Sequence, residues 1–338
     1  LLCIIADDLT GAFDAAAPFA ARGISVAVAL HPRAMADALR ASCDVVAVST
    51  QSRETSPNEA AARVAEVAAS VPRNARVFKK VDSRLKGNIA AELAALAPCR
   101  MLVAPAIPEF GRIVSGGQVS GFGVDDPISV RDALGALATV AEVPDTLTNV
   151  EMLAALRDVP GDALLVGARG LAEALAVEMT GQADAPLVQR PAGKLLVVVG
   201  SCDPITVAQV DRLRERGHLD WRGAPNGRMV DSAPLADLTV VQTTPGATAA
   251  SGHAVAEALA ESVHPSLTLK AAAIFLTGGA TAEAVLQRMG LDVLRLAGEV
   301  LPGVPLSWAG HQAIILKSGG FGDRDTLLRL DRDSVSLP

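Results

Sequence analysis

Short apolar runs alternate along this chain with longer Ala-, Leu- and Val-rich stretches whose apolar positions recur with helical spacing. Leu1–Ala6 precedes a helical stretch from Gly11 to Arg22, Ile24–Leu30 precedes Met35–Ala41, and Val45–Thr50 precedes Asn58–Ser70. Val77–Val81 then precedes Asn88–Leu96, and Met101–Pro105 follows. Strands separated by helices build βαβ units, so the pattern predicts an α/β fold with a mainly parallel sheet flanked by helices. Such sheets bind ligands outside the carboxyl ends of their strands, near a topological switch point. Polar residues just after a strand are therefore the places to look for chemistry.

The rhythm breaks twice. Pro105–Pro127 is rich in Gly, Pro and Ser (Pro108, Gly111, Gly116, Gly117, Gly121, Gly123) and reads as a long Gly-rich loop, functional or a surface excursion. Gly181–Lys194 carries two prolines and small polar residues and reads as a linker. After it the alternation restarts. Leu195–Gly200, Leu238–Thr243, Ala273–Leu276 and Ala313–Lys317 are extended, and Thr206–Arg216, Thr248–Ser262 and Thr281–Met289 are helical. With the boundary near Pro191, two α/β domains are expected, 1–190 and 191–338, each with a mainly parallel sheet flanked by helices.

Composition narrows the function. Half of the 338 residues are hydrophobic and 20% are charged, enough for a sizeable core and against global disorder. Aromatic residues are 3% with no Tyr, which disfavours stacking platforms for single strands. A formal charge of −7 disfavours nucleic acid or an anionic membrane as partner. No apolar run approaches the ~20 residues of a membrane span. The acidic pair Asp7-Asp8 follows the first run at once, so that run reads as a strand rather than a signal peptide. The chain opens on Leu rather than Met, so a few preceding residues are expected. Cys3, Cys43, Cys99 and Cys202 are far apart, and the first three lie in or beside apolar stretches. Buried thiols and a cytoplasmic location are expected. The apolar composition also suggests a homodimer.

Only six lysines occur, and three of them, Lys79, Lys80 and Lys86, fall within one short segment. In Lys79-Lys80-Val81-Asp82-Ser83-Arg84-Leu85-Lys86-Gly87-Asn88, basic residues surround one carboxylate and one hydroxyl at a strand-to-helix turn. A helix N-terminus beside lysines is an anion site; the bland alternative is a solvated charge run capped by Asp82 or Ser83. In Ile4-Ile5-Ala6-Asp7-Asp8-Leu9-Thr10-Gly11-Ala12 with Asp14, a strand ends in two carboxylates and Thr-Gly opens a helix. Asp8 or Thr10 could cap that helix, but one cap does not need two adjacent carboxylates. A carboxylate here can take a proton from a hydroxyl or help hold Mg²⁺. Arg53, in Ser49-Thr50-Gln51-Ser52-Arg53, can clamp a carboxylate with two parallel hydrogen bonds. In the second half, Gly200-Ser201-Cys202-Asp203, Thr277-Gly278-Gly279-Ala280-Thr281 and Lys317-Ser318-Gly319-Gly320 each follow a strand. Glycines let backbone N–H groups approach phosphate, and three such turns in one domain point to a nucleotide.

Other chemistries lack their motifs. There is no G-x-x-x-x-G-K-[ST], no G-x-G-x-x-G after the first strand and no G-x-S-x-G. The five histidines lack metal-ligand spacing, so structural zinc is not expected.

The motifs IADDLTGAFDAA, STQSR, KKVDSRLKGN, PAIPEFGR with Gly116-Gly117, VVVGSCDP, LTGGATA and KSGGFG, in this order from Ile4 to Gly322, resemble the four-carbon acid sugar kinase family. The resemblance implies an N-terminal sugar-acid-binding domain and a C-terminal nucleotide-binding domain. It implies transfer of the γ-phosphate of ATP to the terminal hydroxyl of threonate, erythronate or 3-oxo-tetronate. Substrate contacts would then fall on Asp8, Arg53, Lys80, Val81, Asp82 and Ser83. ATP contacts would fall on Ser201, Gly278, Gly279, Ala280, Thr281, Gly319 and Gly320. Asp8 is expected as general base or orienter, with Asp82 its rival, Lys80 and Lys86 as stabilisers of the transferring oxygens, Arg53 and Lys80 as partners of the substrate carboxylate, and Asp7 as a ligand of Mg²⁺ through water. The turns of the two domains are expected to meet across a cleft, with a hinge near Pro191. The chain departs from the family pattern K-x-D-S-T-L-R-G-N at Arg84 and Lys86, and Arg84 is expected to bear on substrate choice. Phe110 stands where Asn is expected, and the stretch from Pro108 to Asp132 is short. The alternatives are a Mg²⁺-dependent phosphatase or phosphotransferase with an Asp nucleophile, and a non-catalytic sensor of sugar acid or nucleotide.

Overall fold

The structure, a computed structural model, describes residues 1–230 and 233–332. The chain forms two compact units, one from Leu1 to Ala185 and the other from Pro186 onward.

The first unit holds β1 (Leu2–Ala6), α1 (Leu9–Ala20), β2 (Val26–Ala29), α2 (Met35–Arg40), β3 (Val45–Ser49), α3 (Pro57–Ser70), β4 (Arg76–Lys80), α4 (Ile89–Leu96) and β5 (Met101–Ala104). These are followed by β6 (Arg112–Ser115), β7 (Gln118–Gly121), β8 (Ile128–Ser129), α5 (Val130–Leu134), β9 (Ala141–Glu142), α6 (Asn149–Asp158), β10 (Leu164–Gly167) and α7 (Arg169–Thr180). Its main strands run in the order β2-β3-β1-β4-β10-β5-β9, and every pair is parallel. β1 and β3 are buried along their whole length, as strands covered on both faces must be. The chain moves outward from β1 to β2, returns to β3, and then crosses β1 to reach β4. The switch point therefore lies at β1, where Asp7 and Asp8 emerge.

α1 contains Pro18, which cannot donate to the Asp14 carbonyl one turn earlier. The buried Arg169 of α7 supplies a donor to that carbonyl at 3.4 Å, so a helix irregularity is repaired from a neighbouring helix. Pro105–Pro127, expected as a loop, instead builds an antiparallel sheet, β6-β7-β8. Its glycines make turns rather than slack: Gly116 and Gly117 at the hairpin tip have φ of +57° and +74°.

The second unit holds β11 (Leu195–Val199), α8 (Pro204–Glu215), β12 (Asp220–Pro225), β13 (Leu238–Thr244), α9 (Gly252–Val263), β14 (Ala273–Thr277) and α10 (Gly279–Arg288). β15 (Val293–Leu301), β16 (Val304–Ala309), β17 (Gln312–Lys317) and α11 (Thr326–Arg332) complete it. The order is β12-β13-β11-β14-β17-β16-β15, parallel as far as β17 and antiparallel through β16 and β15. Alternate residues Leu195, Val197 and Val199 of β11 share a core with Val210 and Leu213 of α8 and Leu327 and Leu328 of α11. β11 lies between β13 and β14, so this unit also switches direction where Gly200 and Ser201 leave the sheet. Of the cysteines, Cys3 and Cys43 are buried, but Cys99, expected inside, is exposed with Cys202 because it lies beyond the end of α4.

Candidate functional site

At the end of β1 the backbone sends two carboxylates to different partners. The Arg53 guanidinium donates to both Asp7 oxygens at 2.8 and 2.7 Å and to Asp8 Oδ2 at 2.6 Å. Parallel pairing of β1 with β3 brings this about, since Ala6 lies beside Ser49 and the amides of Ser52 and Arg53 donate to the Asp7 carbonyl. Asp8 also caps α1, accepting from the Gly11 amide at 2.7 Å and the Thr10 hydroxyl at 3.0 Å. Burial alone would raise both acids. At Asp7 the paired Arg53, helped by Lys79 and Lys80, brings the pKa below the ordinary 3.8. At Asp8 burial prevails over Arg53, with the Asp7 charge added, and the pKa stays raised. Two adjacent carboxylates are thereby pushed apart in basicity, as acid–base sites require. The Asp8 side chain keeps 16% exposure against 3% for Asp7, so the more basic carboxylate is also the accessible one.

Arg53, expected to clamp a substrate carboxylate, gives three of its five N–H donors to Asp7 and Asp8 and keeps one on each terminal nitrogen. Asp7, expected to hold Mg²⁺ through water, has both oxygens on Arg53.

Strand alternation divides the lysine turn. Lys79 turns inward and pairs with Glu92 of α4 at 2.8 Å, both fully buried, while Ser52 donates to the other Glu92 oxygen and bonds Thr50. This network joins β3, β4 and α4 and leaves no charge for substrate. Lys80 points to the Asp8 side, donating to the Val81 carbonyl at 3.0 Å with Asp14 at 4.0 Å. A Cβ on Gly11 would lie 2.5 Å from Asp8 Oδ1 and 3.5 Å from Lys80 Nζ, so only glycine leaves room for both groups. Val81 itself contributes only this carbonyl; its side chain is buried. Asp82 accepts from the Arg84 amide at 2.8 Å and stands 3.9 Å from Arg53, and Ser83 accepts from Arg112 at 2.6 Å. Lys86 is exposed. Asp8, Arg53, Lys80, Asp82 and Ser83 are thus one cluster. Gln51 and Leu85, on its two flanking turns, hold φ of +53° and +55°. Side chains rarely adopt that conformation, and it clusters at functional sites.

In the second unit the three glycine-containing turns also converge. A Cβ on Gly319 would lie 2.3 Å from Ser201 Oγ, one on Gly278 would lie 3.3 Å from the Ser201 nitrogen, and one on Gly200 would overlap Thr281 Oγ1 at 1.7 Å. Asp203 caps α8 through the Ile205 amide, but α10 has no side-chain cap. The amides of Gly279, Ala280 and Thr281 open this helix beside Ser201, an arrangement suited to phosphate oxygens. Gly320 is exposed on the neighbouring turn.

Three residues that shape these turns were given no role by the sequence. Lys317 is buried, and its ammonium donates to Thr206 Oγ1 and to the carbonyls of Ser318, Gly319 and Phe321, shaping the last turn. Its pKa falls from 10.5 to about 8 through burial, partly opposed by Asp203. Glu92 holds Lys79. Arg112 reaches the lysine turn from β6. The signals were the scarcity of lysine and the motifs KSGGFG and PAIPEFGR, and none gives a partner.

An α/β chain with an acid-and-lysine turn in one unit and converging glycine turns in the other has the equipment of a phosphoryl-transfer enzyme. Residues 2–129 match a model of a sugar-binding N-terminal domain, and residues 228–327 match one of a nucleotide-binding C-terminal domain. A D-threonate kinase of Cupriavidus necator is 33% identical over 400 aligned positions, covering 96% of this chain and 95% of its own. Those positions outnumber the 338 residues here, so the relative carries internal stretches that this chain lacks. A 3-oxo-tetronate kinase of Actinobacillus succinogenes is 25% identical, covering 96% of this chain and 97% of its own. The chain belongs to the four-carbon acid sugar kinase family. The fold agrees. A crystal structure from Salmonella typhimurium superposes with a TM-score of 0.73 at 21% identity, covering 98% of this chain and 99% of its own. One from Haemophilus influenzae gives 0.67 at 20% identity, covering 99% and 100%. Among the described residues no helix is long and apolar enough to cross a membrane.

Proposed function

We propose that this chain transfers the γ-phosphate of ATP to the terminal hydroxyl of a four-carbon sugar acid, with D-threonate the first substrate to test, and that Asp8 is the general base. The observation that carries the assignment is the division of labour at the end of β1. Arg53 pairs with Asp7 and holds its pKa below the ordinary value, while Asp8 stays accessible, raised in pKa and close to Lys80. A carboxylate so placed accepts the proton of a hydroxyl as that oxygen attacks phosphorus. Lys80 neutralises charge on the transferring oxygens, and Asp82 and Ser83 orient the hydroxyls of the acid. Ser201 and the amides of Gly278, Gly279, Ala280 and Thr281 hold the nucleotide phosphates, with Gly319 and Gly320 lining the adjacent turn. Mg²⁺ enters only as the usual companion of ATP phosphates, which need few protein ligands around it.

D-threonate is favoured because the D-threonate kinases of Cupriavidus necator and Bordetella bronchiseptica are 33% and 32% identical to this chain, above the 25% of the Actinobacillus 3-oxo-tetronate kinase. The test is ADP release with ATP and Mg²⁺ across D- and L-threonate, D- and L-erythronate and their 3-oxo analogues. Acid-dependent ADP release is expected; none across the panel from folded protein would overturn the reading. A phospho-enzyme trapped on Asp7 or Asp8 would instead support the phosphotransferase alternative.

A further inference from the structure

Three turns leave the sheet of the second unit side by side, and hydrogen bonds join them. The Gly200 amide donates to the Thr277 carbonyl and the Gly278 amide to the Lys317 carbonyl, each at 3.3 Å. Lys317 thus ends β17 with its backbone tied to the turn that opens α10. Its side chain lies beneath its own turn. The ammonium donates to the Ser318, Gly319 and Phe321 carbonyls at 2.8, 3.2 and 3.1 Å, and to Thr206 Oγ1 of α8 at 3.0 Å. α8 holds two of the same oxygens: Thr206 donates to the Gly319 carbonyl at 2.5 Å, and Gln209 to the Phe321 carbonyl at 3.0 Å.

An ammonium has three N–H donors. Here they serve four acceptors, in a residue only 1% exposed. No donor is left over for a ligand, so the effect of Lys317 passes through the peptide groups it holds. In a planar trans peptide the N–H points away from the preceding C=O, and the peptides of this turn are trans. Drawing the Ser318 and Gly319 carbonyls in toward the ammonium therefore turns the Gly319 and Gly320 amides outward. Neither amide has an acceptor among the described residues, and Gly320 is exposed. Ser201 adjoins the turn, its Oγ 2.3 Å from where a Cβ of Gly319 would stand. Carbonyl oxygens that converge on one point repel one another, and a compact cation with several rotatable donors offsets that repulsion.

We infer that Lys317 is a positioning residue for the nucleotide: its ammonium gathers the carbonyls of the last turn inward and so presents the Gly319 and Gly320 amides outward to phosphate oxygens. The inference rests on the nucleotide reading of these turns and names what sets their geometry.

The experiment is calorimetric binding of ATP with Mg²⁺ to the full chain, as wild type, Lys317→Met, Lys317→Arg, Thr206→Val and Thr206→Ser. Hydrogen exchange of the segment 317–322 is followed with and without ATP. Trp221 and Trp308 both lie in the second unit, so their fluorescence reports its folding in each variant. Wild type should bind ATP, and ATP should slow exchange in the segment. Lys317→Met should weaken ATP binding about 10- to 100-fold, as expected for lost charged hydrogen bonds, and abolish the slowing. Lys317→Arg should weaken binding although the charge is kept, because a planar fork does not match three convergent carbonyls. Thr206→Val removes part of the same support and should weaken binding less, and Thr206→Ser should restore it. Wild-type affinity in folded Lys317→Met or folded Lys317→Arg overturns the inference. Where neither folds, wild-type affinity and slowing in Thr206→Val overturn it. Wild type that binds no ATP overturns the nucleotide reading of these turns and the inference with it. ATP binding that depends on Lys317 without any ADP release supports the inference and overturns only the kinase reading.

Discussion

Asp7 and Asp8 are neighbours in sequence and identical in chemistry, yet their surroundings push their pKa values in opposite directions. That difference predicts behaviour. Asp8→Asn should lower kcat by about 10²- to 10⁴-fold, the usual worth of a general base. It should leave the ATP-induced thermal shift intact, because the nucleotide turns lie on the second unit. Turnover within a few-fold of wild type would remove Asp8 from the chemistry. The pH profile follows from the same geometry. A base must be ionised, so kcat/KM should fall as pH drops through the Asp8 pKa, which lies above the ordinary 3.8. Asp7 lies below that value and should not contribute to the limb. The acidic pair was legible in the sequence because polar residues at the end of an apolar run stand out. The fate of Arg53 was not, since its partner depends on the register of β1 against β3.

At the scale of elements, Lys79 and Glu92 tie β4 to α4 inside the core. Glu92→Ala would leave a buried ammonium without its anion, and removing one partner of such a pair costs about 3–5 kcal/mol. Chemical denaturation should show a loss of that order; a loss under 1 kcal/mol would mean that the pair is incidental. The turns of the second unit make a different demand. Gly319→Ala would push a methyl group against Ser201 Oγ, 2.3 Å from the ideal Cβ. It should destabilise this turn by about 1–3 kcal/mol, the usual cost of overpacking, and weaken ATP binding without changing acid binding. Calorimetry with each ligand separates the two effects. The parallel strands were readable because they are buried runs bounded by turns. β12 was not, because DWRGAP, with a Gly and a Pro, carries no strand pattern and is tolerated only at the sheet edge. β6 to β8 were hidden because Gly and Ser at hairpin turns look like loop composition.

Across the whole molecule, each unit builds its cluster at its own switch point, and the chain spends stability on both. Lys317 illustrates the cost. Between about pH 8 and 10.5 the unfolded chain holds the Lys317 proton and the folded chain does not. Stability should therefore rise with pH across that window, and Lys317→Met should remove that part of the rise. A melting temperature with the same pH slope in both proteins would contradict this. The family was legible from the order of seven short motifs, each weak alone. The contact of Arg112 with Ser83 was not, because the two lie far apart in sequence and meet through the small sheet.

The central claim is that Asp8 takes a proton from a four-carbon acid as ATP phosphorylates it. The most direct measurement is ADP release by wild type and by Asp8→Asn with ATP, Mg²⁺ and D-threonate, with and without the acid. The expected result is release by wild type that requires the acid and is lost in the variant while nucleotide binding persists. ADP release by wild type that ignores the acid, or an equally active variant, would contradict it.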